Sequence, residues 1–331
     1  MKFATVKNDL KDGGLVLVSR DLSKVFSLAA IAPTMQHLLE HWKTLVPVIQ
    51  PLYDALNRGE LDDCIDFHSQ QMMAPLPRAY QWCDASAFLN HGELVQQAFS
   101  LPPQDDFDTI PLMYQGASDC FLGANDPIEL PDEGHGIDFE GEFAVVLDEV
   151  PMGCSPDQAL SHVCLLMLAN DVSLRGFIQR EIKGGFGFLQ AKPSSSFSPV
   201  AVTPDELGDH WRDGRVCLPL NIEWNSQWFG QAKGDEMNFS FGELIAHAAL
   251  TRKLSAGTII GSGTVSNKDT KRGSSCIAEK RALEMIATGQ AYTEFMKFGD
   301  RIRMESFNES GESIFGAIDQ VVIQRGNQLA K

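Results

Sequence analysis

The sequence predicts an α+β protein, mainly β: a mixed β-sandwich or β-roll, largely antiparallel, with a small α+β segment in front. Three observations lead there. The chain has 331 residues, which at about 100–200 residues per domain accommodates two domains. Short apolar runs bounded by turn residues outnumber stretches with helical periodicity. Strand and helix patterns do not alternate one for one, as a doubly wound parallel sheet requires. Apolar residues make up 44% of the chain, enough for a sizeable core.

In chain order, Gly13-Gly14 separates two short strands at 2–6 and 14–19. Ala32-Pro33-Thr34 then opens a helix along which Met35, Leu38, Leu39, Trp42 and Leu45 recur at helical spacing. A second helix occupies 46–56 and stops at Asn57-Arg58-Gly59. The punctuation Met73-Ala74-Pro75-Leu76-Pro77 sets a boundary between a small N-terminal domain, 1–75, and a larger domain, 76–331. In the larger part, 128–130, 139–147, 163–169, 216–224, 258–261, 301–306 and 317–323 read as strands, and 87–99, 241–250 and 279–287 as helices.

Lys and Arg number 27 against 44 Asp and Glu, a formal charge of −17. That balance excludes a nucleic-acid footprint and a polybasic membrane surface. No apolar run approaches the roughly 20 residues of a membrane span, and Met1–Asp9 lacks a signal-peptide pattern. Seven scattered cysteines without a Cys-x-x-Cys pair imply reduced thiols, a cytoplasmic location and no thiolate zinc site. Gly184-Gly185-Phe186-Gly187 has neither the strand-to-helix context nor the following Lys-Ser/Thr of a phosphate loop.

The chemistry concentrates in acidic residues. Glu140 and Glu142 stand two apart at the start of the apolar run 143–147. If the strand includes them, both carboxylates point to one face, and Gly141 between them lets a ligand or backbone approach. Two carboxylates on one face suit a hard divalent cation such as Mg²⁺ or Ca²⁺. A solvated strand edge would give the same pattern, and so acidic a chain produces several such pairs by chance. Asp171 adds a third carboxylate, at the end of the strand 163–169, where a plain Asn-Asp turn is the competing reading. Asp84, with His91 seven residues on, adds a fourth, against a simple surface histidine.

At these residues the sequence resembles the fumarylacetoacetate hydrolase family, over roughly 76–323. The motifs are Asp138-Phe-Glu140-Gly-Glu142, Asn170-Asp171-Val172-Ser173-Leu174-Arg175, Lys192-Pro-Ser-Ser-Ser-Phe-Ser-Pro199 and Gly261-Ser-Gly-Thr264, with the Asp84–His91 spacing before them. The resemblance implies a catalytic domain of the fumarylacetoacetase C-terminal type, Asp84, Glu140, Glu142 and Asp171 as metal ligands, and a homodimer. It implies Mg²⁺ first, with Ca²⁺ or Mn²⁺ as alternatives, because oxygen-only ligands suit all three. It further implies His91 as base, Glu279 orienting it, and Lys192 offsetting the excess negative charge. Tyr114, Arg175, Thr264, Ser86 and Gln179 fall at substrate positions. Here the chain departs from the pattern: Ser86 replaces a Tyr, Gln115 and Ala117 replace a His and an Arg, and Gln179 is shifted by one residue. Residues 92–107 are expected to form a lid.

The implied activity is hydrolysis of a C–C bond in a β-diketo acid, with fumarylacetoacetate, giving fumarate and acetoacetate, as the leading substrate. Acylpyruvate hydrolysis is the nearest alternative. Further alternatives are a lyase or isomerase on the same metal, such as oxaloacetate decarboxylation or 2-keto-enoate hydration, and a metal-stabilised protein without turnover. The implied partner is a small dicarboxylate or diketo acid.

Overall fold

Two strands, Gly141–Leu147 and Val163–Asn170, are buried at every position. Their near-continuous apolar sequence has a simple cause: they lie side by side in the middle of a sheet covered on both faces. The structure, a computed structural model, describes residues 1–99 and 105–326.

The large sheet runs from Ile65–Asp66 through Lys24–Ser27, Gly14–Val18, Lys2–Val6 and Val200–Val202 to Val163–Asn170. It continues through Gly141–Leu147, Ile259–Gly261 and Trp82–Ala85 to Met113–Gly116. Only Ile259–Gly261 and Trp82–Ala85 pair in parallel along this path. Side chains alternate between the faces. Ala144, Val146, Leu165 and Met167 join the core under the helices Met35–Glu40 and Trp42–Asn57. Phe143, Val145, Leu166 and Leu168 join the core shared with a second sheet. That sheet orders Gln227–Lys233, Pro219–Trp224, Arg301–Glu305, Ile318–Gln324 and Ile128–Leu130. The mixed, mainly β sandwich expected from the sequence is the observed architecture.

The elements differ in detail. The first helix ends at Glu40, because His41 leaves helical geometry at φ −120° and ψ 23°. Trp42 and Leu45 therefore belong to the second helix, which holds Pro47 and Pro51 within it. Arg215–Val216 and Pro219–Trp224 are two strands where one was expected. The strands Lys24–Ser27, Trp82–Ala85, Met113–Gly116 and Gln227–Lys233 and the helix Arg175–Gly184 were not anticipated. The expected lid begins as the helix Leu89–Phe99 and resumes in turns from 105; residues 100–104 of it lie outside the described residues. All seven cysteines are free thiols.

Leu168 is fully buried between the two sheets. Leu168→Ala is expected to lower stability by about 2–5 kcal/mol, read as a fall in the denaturation midpoint.

Candidate metal centre

Three strands of the large sheet, two adjacent and one a strand away, deliver the four carboxylates to one place. Asp84 sits in Trp82–Ala85 and Glu142 in Gly141–Leu147, with Ile259–Gly261 between them. Asp171 follows directly on Val163–Asn170. Glu140 precedes Gly141, its backbone bridged to Cys276. One oxygen from each of these four buried carboxylates lies within 4.8 Å of the others.

The strand between Asp84 and Glu142 ends in glycine for a steric reason. A Cβ on Gly261 would stand 2.4 Å from Asp84 Oδ1 and 3.0 Å from Glu142 Oε2. Gly263 then takes φ +77°, a conformation glycine adopts freely, and its N–H donates to Asp84 Oδ1 at 3.1 Å. Thr264, one residue on, is buried in this turn.

Cations and donors offset part of the charge. Lys192 Nζ donates to Asp171 Oδ2 at 2.5 Å and to Glu140 Oε2 at 2.6 Å. Burial alone would push its ammonium pKa down, but Asp171 and Glu140 outweigh burial and hold it protonated. Tyr114 lies opposite Asp84 across the strand pair and donates its hydroxyl to Asp171 Oδ2 at 2.6 Å. Its ring centroid is 5.3 Å from the Lys192 ammonium and 5.2 Å from the Phe188 ring. Ser195 donates to the other oxygen of Asp171 at 2.6 Å. Arg175 donates to Glu140 Oε1 at 2.6 Å and to Asp138 Oδ2 at 2.8 Å, so its guanidinium is occupied by the cage itself.

Glu142 is the exception. Both of its carboxylate oxygens are buried without a hydrogen-bond partner among the described residues. An unpaired buried carboxylate is costly, and an oxygen-only set of four carboxylates fits a hard divalent cation. The titration behaviour agrees. Burial first, then the Asp171 charge, pushes Asp84 up to about 8. Burial and Asp84 push Glu142 well above the usual carboxylate range. Burial acts on Glu140 too, but Lys192 and Arg175 together hold it down at about 2.

Beside the cage, Glu279 Oε2 accepts from His91 Nδ1 at 2.9 Å. Glu279 lies in the first turn of the helix Ile277–Thr288, and His91 near the start of Leu89–Phe99. Asn90 fixes the latter by donating to Ser266 Oγ at 2.7 Å and to the Asn267 carbonyl at 3.0 Å. Asp138 fixes the former, accepting from the N–H groups of Ile277 and Ala278 at 2.7 and 2.9 Å. Ser86 is half-buried at the end of the Asp84 strand, and Gln179 is exposed on Arg175–Gly184, making no side-chain hydrogen bond among the described residues.

Three positioning residues escaped the sequence reading. Asp138 continues the every-second-residue acidic pattern of Glu140 and Glu142, a signal that was available. Asn170, whose Oδ1 accepts from the Glu140 N–H at 3.2 Å, and Ser195 stood inside the quoted motifs without a role.

This arrangement defines a class: mainly β enzymes with a carboxylate cage for a divalent cation. The fumarylacetoacetate (FAA) hydrolase C-terminal family matches residues 81–323, and fumarylacetoacetase N-terminal domain 2 matches residues 1–78. The chain belongs to the fumarylacetoacetate hydrolase family. It is 33% identical over 159 residues to 2,4-didehydro-3-deoxy-L-rhamnonate hydrolase of a Sphingomonas species, covering 47% of this chain and 53% of that one. It is 27% identical over 157 residues to the mitochondrial oxaloacetate tautomerase fahd2 of Xenopus laevis, covering 46% and 47%. The chain thus spans about half the length of these curated relatives. Maleylpyruvate hydrolase from Sphingobium sp. SYK-6, solved with manganese(II) and pyruvate, shares the fold at TM-score 0.67 and 17% identity, over 98% of this chain and 99% of that one. The 2-hydroxyhepta-2,4-diene-1,7-dioate isomerase of Mycobacterium marinum does so at TM-score 0.61 and 16% identity, over 99% and 100%. Among the described residues no helix is long and apolar enough to cross a membrane.

The raised Asp84 and Glu142 set the pH response of the metal-free protein. Their folded-state pKa lies above the unfolded value of about 4, so the folded state holds protons that the unfolded state has released. With chelator present, thermal stability is expected to fall as pH rises from about 5 to about 8. Added Mn²⁺ or Mg²⁺ should raise the melting temperature most at the alkaline end, because the ligands must be deprotonated to bind.

Proposed function

We propose that the chain catalyses metal-dependent hydrolysis of a C–C bond in a β-diketo acid, with fumarylacetoacetate and acylpyruvates as first candidates. The observation that carries this reading is the hydrogen bond from His91 to Glu279 beside the four-carboxylate cage. A merely structural metal site has no need of an oriented imidazole.

Asp84, Glu140, Glu142 and Asp171 would hold the divalent cation, Mg²⁺ first and Mn²⁺ or Ca²⁺ next. When bound, the cation supplies Lewis-acid polarisation of the substrate's oxygens and a counter-charge for developing negative charge. Glu279 holds the His91 Nδ1–H and leaves Nε2 to accept a proton from water. The water oxygen adds to the carbonyl carbon, the C–C bond breaks, and its electron pair passes into an enolate of the leaving fragment. The proton returns from His91 to the enolate carbon, giving an acid and a ketone. Lys192, held protonated between Glu140 and Asp171, supplies a fixed positive charge near those oxygens.

A second reading, keto–enol tautomerisation of a 2-oxo acid such as oxaloacetate, is favoured by the relatives bearing that name. It uses the same cage and base but consumes no water.

The test begins with metal-stripped protein, fumarylacetoacetate and then an acylpyruvate, following the loss of diketone absorbance on adding Mg²⁺ or Mn²⁺. Cleavage should yield two fragments; conversion without fragmentation of oxaloacetate would move the assignment to the tautomerase. His91→Ala should reduce turnover by about 10²–10⁴-fold while metal affinity, measured by calorimetry, is retained. Glu142→Ala should lose both. Near-normal turnover in His91→Ala would remove histidine from the role of base.

A further inference from the structure

The segment between the helix Arg175–Gly184 and Lys192 is built unlike the rest of the surface. Its base is clamped: the Glu181 carboxylate accepts from the N–H groups of Leu189, Gln190 and Ala191 at 3.0, 2.8 and 3.1 Å. Its tip is loose. Gly185 and Gly187 take φ +72° and +89°, and a Cβ on Gly184, Gly185 or Gly187 would meet nothing within 4 Å. On this tip Phe186 is fully exposed, and Leu189 is 84% exposed. Ile182, on the preceding turn of helix, is 62% exposed. Residues 184–191 carry no charge.

This apolar surface is continuous with the metal centre. Phe188 packs edge-on against Tyr114, and the Tyr114 hydroxyl bonds Asp171. Moving outward from the cage, one therefore meets Asp171, Tyr114, Phe188 and then the loop tip. The two cations nearest the cage are occupied: Lys192 by Glu140 and Asp171, Arg175 by Glu140 and Asp138. A second substrate carboxylate at Phe188 and the loop tip would meet aromatic and aliphatic groups, and would lose water without gaining a partner if the tip closed over it, because Arg180 and Lys183 stand exposed on the preceding helix.

Building on the proposed diketo-acid chemistry, we propose that Phe188 and the Phe186–Leu189 tip form the specificity-determining wall for the end of the substrate remote from the metal. That end is uncharged and apolar: the substrate is a 2,4-dioxo monocarboxylic acid with an alkyl or aryl tail. The glycine-flanked tip folds Phe186 over this tail and shields it from water.

Two 2,4-dioxo acids of equal length, one ending in a phenyl or alkyl group and one in a carboxylate, are compared on the Mn²⁺-loaded protein. The apolar one should be preferred by at least about tenfold in kcat/KM. Phe188→Ala and Phe186→Ala should collapse that ratio towards one, chiefly through KM. Binding is read without turnover by calorimetry, using unsubstituted oxamate and an N-alkyl oxamate, equal in charge and chelating group, as non-cleavable probes. The N-alkyl oxamate should bind more tightly, and the fluorescence of Phe186→Trp should shift to the blue with it and not with unsubstituted oxamate.

Preference for the dicarboxylate would overturn the proposal and direct attention to exposed Arg180 and Lys183 on the same helix. So would variants that change the sedimentation mass but leave selectivity and binding intact, since the surface would then belong to a second copy of the chain. If no diketo acid is turned over, yet the preference for N-alkyl oxamate exists and is lost in Phe188→Ala, the wall stands and the proposed reaction falls.

Discussion

Four buried carboxylates share one small space, and the rest of the centre is arranged to make that tolerable. Two unit charges 4 Å apart repel by about 4 kcal/mol at the effective dielectric of a protein site. Lys192 and Arg175 each bridge two acids. Tyr114 and Ser195 donate to Asp171, and Gly263 donates its N–H to Asp84. These groups come from three stretches of the chain, around Tyr114, from Arg175 to Ser195, and at Gly263, so the charge problem ties those stretches to one place. Among the described residues Glu142 is left with no donor, so its charge is one that a divalent cation would offset.

The same charges organise the imidazole beside the cage. Asp138 binds Arg175 and caps the helix that carries Glu279, while Arg175 also binds Glu140. Cage and histidine support are thus linked through one buried carboxylate, without a covalent connection. A shift of the Ile277–Thr288 helix would be felt at Glu140 as well as at His91.

Much of this was legible in the sequence, for definite reasons. The runs 143–147 and 163–169 announced doubly covered strands, because only such strands dispense with polar alternation. The acidic pair and the ordered motifs pointed to residues that the fold brings together. What escaped detection was short or depended on distant partners. Trp82–Ala85 and Met113–Gly116 are four-residue strands, held by neighbours remote in sequence. Arg175 was expected either at the substrate or pairing with the acidic cluster from outside, and it bonds Asp138 and Glu140; the Asp138 side chain that draws it there could not be oriented from the sequence. The front helix was drawn too long because apolar spacing continues smoothly across His41, where the backbone turns.

The pairing of Lys2–Val6 with Val200–Val202 has a consequence for how such chains diversify. The front segment and the strands that carry the carboxylates hold a single hydrogen-bonded sheet in common, and Phe3, Leu15 and Leu17 share a core with Val146 and Met167. A different front piece can be exchanged in only if it presents an antiparallel strand in the same register. Otherwise the sheet would stop at Val200–Val202, leaving an unpaired border open to the strand of another chain. The front segment is therefore a matched graft, held to the register in which Phe3 faces Ala201.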